Sequence, residues 1–127
     1  MLALDWFNGV RTPLMDFNLN GLIMGMNLLT KPEEIYLSLI EATAYGTRMI
    51  IEGFEEAGLE VKDITLSGGI PIKNEMLVQV YSDVCNRKIK VVDSTHSSAL
   101  GAAILGAAAA PERITGFKNA NEAAKKL

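Results

Sequence analysis

A glycine pair at positions 68 and 69 separates two segments of different periodicity. Residues 61–67 alternate enough between apolar and polar side chains to predict a short strand, which the glycines prevent from continuing. Residues 74–86 have helical spacing, with Asn74 as the expected cap, and residues 88–93 return to the pattern of a strand. Strand, helix and strand at this spacing predict a βαβ crossover, in which a right-handed connection joins two parallel strands.

A long helix is predicted before this crossover. The Thr30 hydroxyl is expected to cap it, with Glu33 completing a capping box and Pro32 in the first turn. Gly58 can adopt the left-handed conformation that ends such a helix. Polar residues spaced by three and four predict one solvated face, made of Glu34, Ser38, Glu41, Arg48, Glu52 and Glu55, with Tyr45 between them. The opposite face, predicted to be buried, consists of Ile35, Leu39, Ala42, Gly46, Met49 or Ile50, and Phe54.

Two further helices are predicted after the crossover. Ser97 or Ser98 is expected to cap a helix that runs over residues 99–110 and stops at Pro111. Because this helix is apolar on every side, it is predicted to be largely buried. Residues 119–127 have the pattern of an amphipathic helix.

The length of 127 residues predicts one folding unit of the α/β class. Its expected parts are an irregular lead-in over residues 1–29, a core over residues 30–110 and a truncated tail helix within residues 111–127. Because a long irregular stretch is unusual in a compact domain, the lead-in is expected to pack against a missing domain. Its exposed apolar residues also allow self-association as a homo-oligomer.

Composition excludes several partners. The net charge of -3 offers no broad basic surface, so a nucleic-acid partner is not expected. The longest apolar stretch, over residues 99–111, is too short to span a membrane, and the start of the chain does not resemble a signal peptide. Cys85, the single cysteine, is expected to be a buried small hydrophobe in the reducing cytoplasm.

The glycine pair is the candidate binding feature. In open α/β sheets, ligands bind beyond the carboxyl ends of the strands, and glycines let backbone approach a ligand closely. After Gly68 and Gly69, Lys73 can add a positive charge and Asn74 a hydrogen bond near the start of a helix. The alternative is that the pair is merely a tight turn between strand and helix. The spacing is neither that of a P-loop nor that of the dinucleotide fingerprint.

Several blocks of the sequence, in one order, resemble the FGGY family of carbohydrate kinases. Residues 68–74, followed by Leu77, Gln79, Tyr81, Asp83 and Val84, resemble its adenosine-binding motif. Residues 99–103 resemble the small-residue helix that follows it, and residues 21–25, 34–35 and 40–42 resemble the signature before its long helix. The resemblance covers roughly residues 2 to 110. Residues 3–11 and 30–36 are similar to the ribulokinase branch rather than to glycerol kinase or xylulokinase.

This resemblance implies an actin-like ATPase fold, of the ribonuclease H-like type, with a parallel βαβ core and packed helices. It implies that ATP is held between two domains while its terminal phosphoryl group passes to a sugar hydroxyl, here that of L-ribulose. Carried over residue by residue, it nominates Gly68, Gly69 and Asn74 as adenosine contacts, with Lys73 as a weaker neighbour. Gln79 and Asp83 are expected to brace the helix instead.

The same resemblance implies that the catalytic base, the sugar-binding residues and the loops that hold magnesium and the phosphates lie outside this chain. No catalytic residue and no metal ligand is therefore nominated, and the chain alone is expected to be inactive. Asp5, Asp16 and Asp63 are interpreted as ordinary surface acids, and His96 has no second histidine or cysteine near it. The alternative is a non-catalytic actin-like module for nucleotide binding or assembly.

Overall fold

The structure is a computed structural model that describes residues 1–94 and 96–126. These residues form two compact units. The first comprises Met1–Thr65 and Asn74–Lys90, and the second comprises Leu66–Lys73 and the described part of Val91–Leu127.

The lead-in of the first unit contains a pair of short strands. Strand β1 (Leu2–Leu4) pairs antiparallel with strand β2 (Leu22–Met24), in a register that sets Ala3 opposite Ile23. The rest of residues 1–29 is turns and isolated bridges, as the glycines and asparagines predict.

Helix α1 spans Pro32–Glu56, and its start differs from the prediction. The Thr30 hydroxyl accepts a hydrogen bond from the backbone N–H of Asn27, at 2.8 Å, and so is used by the preceding turn. Lys31 takes the N-cap position, where its backbone N–H donates to Glu34 Oε2 at 2.8 Å. The capping box predicted from Thr30 and Glu33 is therefore wrong by one residue. The predicted end is confirmed, since Gly58 has a φ of +85° just after the helix.

The predicted division of α1 into one solvated and one buried face holds only in part, since Glu34 and Arg48 are exposed and Ala42 is buried but other positions differ. Helix α1 packs on β1 and on helix α3 (Glu75–Cys85), so it has more than one covered side. Ser38, placed on the solvated face by its polarity, is only 3% exposed and donates its hydroxyl hydrogen bond to the Ile35 carbonyl. Phe54, predicted to be buried, is 49% exposed. Ser38 departs from the prediction because α1 is covered on more than one side.

The α1–α3 interface holds the first unit together. Ala44 is completely buried there, and the Cys85 thiol lies 3.9 Å from the Ala44 carbonyl oxygen. Arg48 bonds Glu52, at 2.7 Å, and also donates to the Val84 carbonyl at the end of α3. Cys85 is 5% exposed, which confirms its prediction as a buried small side chain.

The βαβ prediction is confirmed. Strands β3 (Asp63–Leu66) and β4 (Lys88–Val91) form a parallel pair, and α3 lies between them in the chain. Asn86, with a φ of 48°, ends α3 in the left-handed conformation.

The second unit contains helix α2 (Gly69–Lys73), helix α4 (Ser97–Ala109), helix α5 (Glu112–Thr115) and helix α6 (Ala120–Lys126). Within this unit, α4 contacts α5 and α6. The sequence did not predict α5, which is one turn long. The amphipathic helix predicted over residues 119–127 is confirmed as α6, where Asn119 Oδ1 accepts from the Glu122 N–H; Leu127 lies outside the described residues.

Two predictions for α4 are wrong. The helix begins at Ser97 with His96 in the cap position, and the Ser97 hydroxyl donates to the Ser94 carbonyl instead of capping. No residue of α4 is buried, and Leu105 is 65% exposed. The apolar composition predicted burial, but the short helices α5 and α6 cover only part of the surface of α4.

Of the helices in the described ranges, none is both long enough and apolar enough to cross a membrane.

The α1–α3 interface predicts how substitution at Ala44 acts. Leucine at this fully buried position must displace packed neighbours, so Ala44→Leu should lower the free energy of unfolding by about 1–3 kcal/mol. Ala102→Leu, at an exposed position of α4, is the matched control and should change it by less than about 0.5 kcal/mol. Urea denaturation followed by circular dichroism measures both, and equal unfolding midpoints for the two variants would contradict this packing.

Candidate functional site

The corner after β3 is open. Gly68 has a φ of +99°, which strains any other residue, and Gly69 begins α2. A Cβ atom built on either glycine meets no heavy atom of the described chain within 4 Å. Gly68 therefore has a backbone reason to be glycine, whereas Gly69 has neither a positive φ nor a crowding neighbour.

The alternative interpretation, that the glycine pair is merely a tight turn, accounts for Gly68 but not for Gly69. A turn requires the left-handed conformation of Gly68, but the folded chain leaves room for a side chain at Gly69. A ligand that contacts the backbone here would fill that room.

Lys73 and Asn74 differ in their surroundings. Lys73 is the last residue of α2 in the second unit and is exposed. Asn74 belongs to the first unit, where it caps α3 as predicted, because its Oδ1 accepts from the Leu77 N–H at 3.0 Å. Its Nδ2 donates to the Tyr36 hydroxyl at 3.0 Å. Sequence reasoning missed Tyr36, which is 38 residues from Asn74 and carries no local signal of this contact.

The other residues of the predicted motif have a structural role. Gln79 Nε2 donates to Asp83 Oδ1 at 2.8 Å, one turn along α3, which confirms that the pair braces the helix.

The three aspartates have different surroundings. Asp16 Oδ1 accepts from the Asn18 N–H within a turn, and Asp63 forms an ion pair with Lys90 at 2.6 Å. The hydrogen bond from Lys90, reinforced by its charge, lowers the pKa of the Asp63 carboxyl. A carboxylate with a lowered pKa is a weak proton acceptor, so this site does not favour Asp63 as a general base. Asp5 is partly buried near the edge of the lead-in.

Metal-ligating residues are scattered. Over residues 1–94 and 96–126, no three His, Cys, Asp or Glu side chains are grouped so as to hold a metal ion.

Burial raises the pKa of the Cys85 thiol, which therefore stays protonated at neutral pH.

The first unit also has two clefts beside α1. An apolar one of about 420 Å³ lies between the lead-in and α1, where Trp6, Tyr45 and Met49 contribute to its wall. A second one of about 320 Å³ is more polar and is lined by Asp5, Arg11 and Thr47, among others. Arg11 is exposed at this cleft, where a guanidinium suits an anionic group.

The Asp63–Lys90 pair predicts a pH effect. Because the folded pKa of Asp63 lies below its unfolded value of about 3.9, the pair stabilises the fold above that pH. This contribution disappears as the pH falls through the folded pKa. In Lys90→Met, the pKa of Asp63 should rise toward its ordinary value, as followed by NMR titration of the side-chain carboxyl. Lys62→Met, which removes the partner of Glu60, is the control and should leave the Asp63 titration unchanged. An unchanged titration in Lys90→Met would refute the assignment.

Three comparisons bear on this chain. The model of the FGGY family of carbohydrate kinases, C-terminal domain, matches residues 1–110. A ribulokinase of Anoxybacillus flavithermus is 50% identical over 127 residues, which are 100% of this chain and 22% of that protein. A glycerol kinase of Plasmodium falciparum, solved with ADP, superposes with a TM-score of 0.70 at 28% identity, over 81% of this chain and 21% of that one.

A more distant structure agrees in fold. A xylulose kinase of Rhodospirillum rubrum superposes with a TM-score of 0.68 at 21% identity, over 91% of this chain and 24% of that one. The expected actin-like ATPase fold is thereby confirmed. The chain spans about a fifth of the length of the curated relatives that it matches.

Proposed function

Because this chain belongs to the FGGY family of carbohydrate kinases, within its C-terminal domain, we propose that it forms the adenosine side of an ATP site in a sugar kinase. The whole enzyme transfers the terminal phosphoryl group of ATP to a hydroxyl of L-ribulose, in the catabolism of pentoses such as arabinose. The substrate is inferred from the relatives, since the similar curated proteins are named ribulokinases.

The observation that carries the proposal is the open space at Gly69. The fold needs no glycine there, whereas a purine nucleoside lying against the backbone does. In this proposal Gly68 and Gly69 present bare backbone to the adenosine, Asn74 hydrogen-bonds the base or ribose, and Lys73 contributes positive charge nearby. The similar glycerol kinase was solved with ADP, which supports a nucleotide as the ligand.

The remaining groups of the reaction are proposed to lie in the rest of the enzyme. The described residues do not form a metal-binding cluster, so Mg²⁺ is proposed to be held mainly by parts outside this chain. Bound Mg²⁺ neutralises developing charge on the phosphates. The task of this chain is then to orient the nucleoside, which fixes the distance over which the phosphoryl group must travel.

The proposed partners follow from the exposed apolar surface. Leu28 and Leu29 of the lead-in are 104% and 87% exposed, and Phe17 is 66% exposed. Removing such apolar side chains from water is favourable in free energy. We therefore propose that the N-terminal domain of the kinase packs on the lead-in, with a second copy of the protein as the alternative partner. A cytoplasmic location is proposed because ATP is available there and Cys85 is free.

Substitution at Gly69 tests the adenosine assignment. Gly69→Val fills space that is open in the protein alone, so the fold should persist while ATP binding weakens by about tenfold or more. Gly53→Val is the matched control, since Gly53 is also helical with open space around it, and its ATP affinity should equal that of the wild type. Isothermal titration calorimetry with ATP measures both. Equal affinities for wild type and Gly69→Val would remove the assignment.

The proposal that the catalytic groups lie outside this chain gives a second prediction. Incubated with ATP, Mg²⁺ and L-ribulose, the 127-residue chain should release no ADP above the rate without sugar. The reason is that phosphoryl transfer depends on positioning and charge stabilisation by groups proposed to lie elsewhere. A coupled assay for ADP measures this. Release of ADP that depends on ribulose would show that the chain contains a complete site.

A further inference from the structure

Tyr36 and Asn74 form a hydrogen-bonded pair across the α1–α3 interface. Tyr36 lies in the first turns of α1, and its hydroxyl oxygen accepts from Asn74 Nδ2 at 3.0 Å. Asn74 Oδ1 accepts from the Leu77 N–H, also at 3.0 Å. The capping bond fixes which end of the amide faces α3, so the Nδ2 group must face Tyr36.

The capping role does not require this second bond. An N-cap needs only a side-chain oxygen that accepts from the helix backbone, which Asn74 Oδ1 provides. The bond to Tyr36 adds something different, because it removes the remaining rotation of the amide. It therefore fixes the direction of the free Nδ2 hydrogen and of the second Oδ1 lone pair.

The unused hydrogen-bonding groups of the pair are suited to a nucleoside. Asn74 retains one N–H and one oxygen lone pair, and the Tyr36 hydroxyl retains its own hydrogen for donation. Tyr36 is 52% exposed, and Asn74 is partly exposed, so a ligand can reach both side chains. Two donors and one acceptor side by side match the ring nitrogens and amino group of a purine, or the hydroxyls of a ribose.

The helix pair holds Tyr36 in place. Tyr36, Ala44 and Arg48 are spaced by eight and then four residues along α1, the helix that packs against α3. Ala44 is fully buried against α3, and Arg48 bonds the Val84 carbonyl at the far end of α3. The backbone of Tyr36 thus belongs to a helix that packs against α3, and its hydroxyl is held by the bond from Asn74.

We propose that Tyr36 is a positioning residue for nucleotide binding, whose hydroxyl orients the Asn74 amide toward the adenosine and donates its own hydrogen to the same nucleoside. This inference rests on the proposed function, because it assigns a second side chain to the same site. It adds a residue from α1 to the nucleoside contact that the sequence motif assigns to Asn74.

The first test removes only the hydroxyl. In the 127-residue chain, Tyr36→Phe should weaken ATP binding by about fivefold, the loss of one or two hydrogen bonds, while the thermal unfolding midpoint stays close to that of the wild type. Tyr45→Phe is the matched control, since Tyr45 lies on the same helix with the same 52% exposure and should bind ATP as the wild type does. Calorimetry with ATP and a thermal melt are measured on each variant.

The second test separates orientation of Asn74 from a general effect. Asn74→Asp keeps an oxygen that caps α3 but loses the N–H that Tyr36 accepts, and it turns the Tyr36 hydroxyl into a donor to the new carboxylate. ATP binding should weaken in Asn74→Asp, and adding Tyr36→Phe should weaken it little further. Such non-additivity is expected of two residues that act as one unit.

The outcomes separate the two proposals. If the wild type binds ATP and Tyr36→Phe binds it equally well, the positioning role is refuted and the nucleotide site stands. A lower unfolding midpoint with unchanged ATP affinity also refutes it, because Tyr36 then serves only the fold. If the wild type and Tyr45→Phe do not bind ATP, the proposed function fails for this chain, and the role of Tyr36 fails with it.

Discussion

The close packing of α1 against α3 is the constraint on which the rest of the first unit depends. Ala44 is fully buried between the helices, and a small side chain at that point lets the two backbones approach. This approach brings the Cys85 thiol to the Ala44 carbonyl and Arg48 to the end of α3. It also places Tyr36 beside Asn74. Two residues 38 positions apart in the chain are thereby brought within hydrogen-bonding distance.

The fold places different requirements on the two neighbouring glycines, Gly68 and Gly69. Gly68 satisfies a backbone requirement, because its φ of +99° is accessible to few other residues. Gly69 satisfies none that is visible in the folded chain, since a side chain would have room there. A sequence pattern contains both residues without distinguishing them. The structure distinguishes them by the backbone conformation that each one adopts.

Features set by local interactions could be predicted from the sequence. The cap at Asn74, the end of α1 before Gly58 and the strands on either side of α3 depend on residues close in the chain. Features set by distant residues could not be predicted. Ser38 is buried because partners cover its helix on more than one side. The cap of α1 was misassigned for a local reason, because the Thr30 hydroxyl accepts from the N–H of Asn27, three residues earlier. Of the proposed nucleoside contacts, Asn74 follows from its sequence motif, whereas Tyr36, 38 residues away, does not.

Helix α4 is apolar in composition but exposed in the structure. A helix that is apolar on every side gains free energy by being covered on every side, yet α4 has no buried residue. Among the described residues, nearly all buried apolar side chains lie in the first unit, and Ala123 is the exception in the second. The first unit therefore has the larger share of the hydrophobic stabilisation, and the helices of the second unit should exchange their amide hydrogens sooner. Asn74 and Tyr36 lie in the first unit, so their hydrogen bond is held by the better packed of the two.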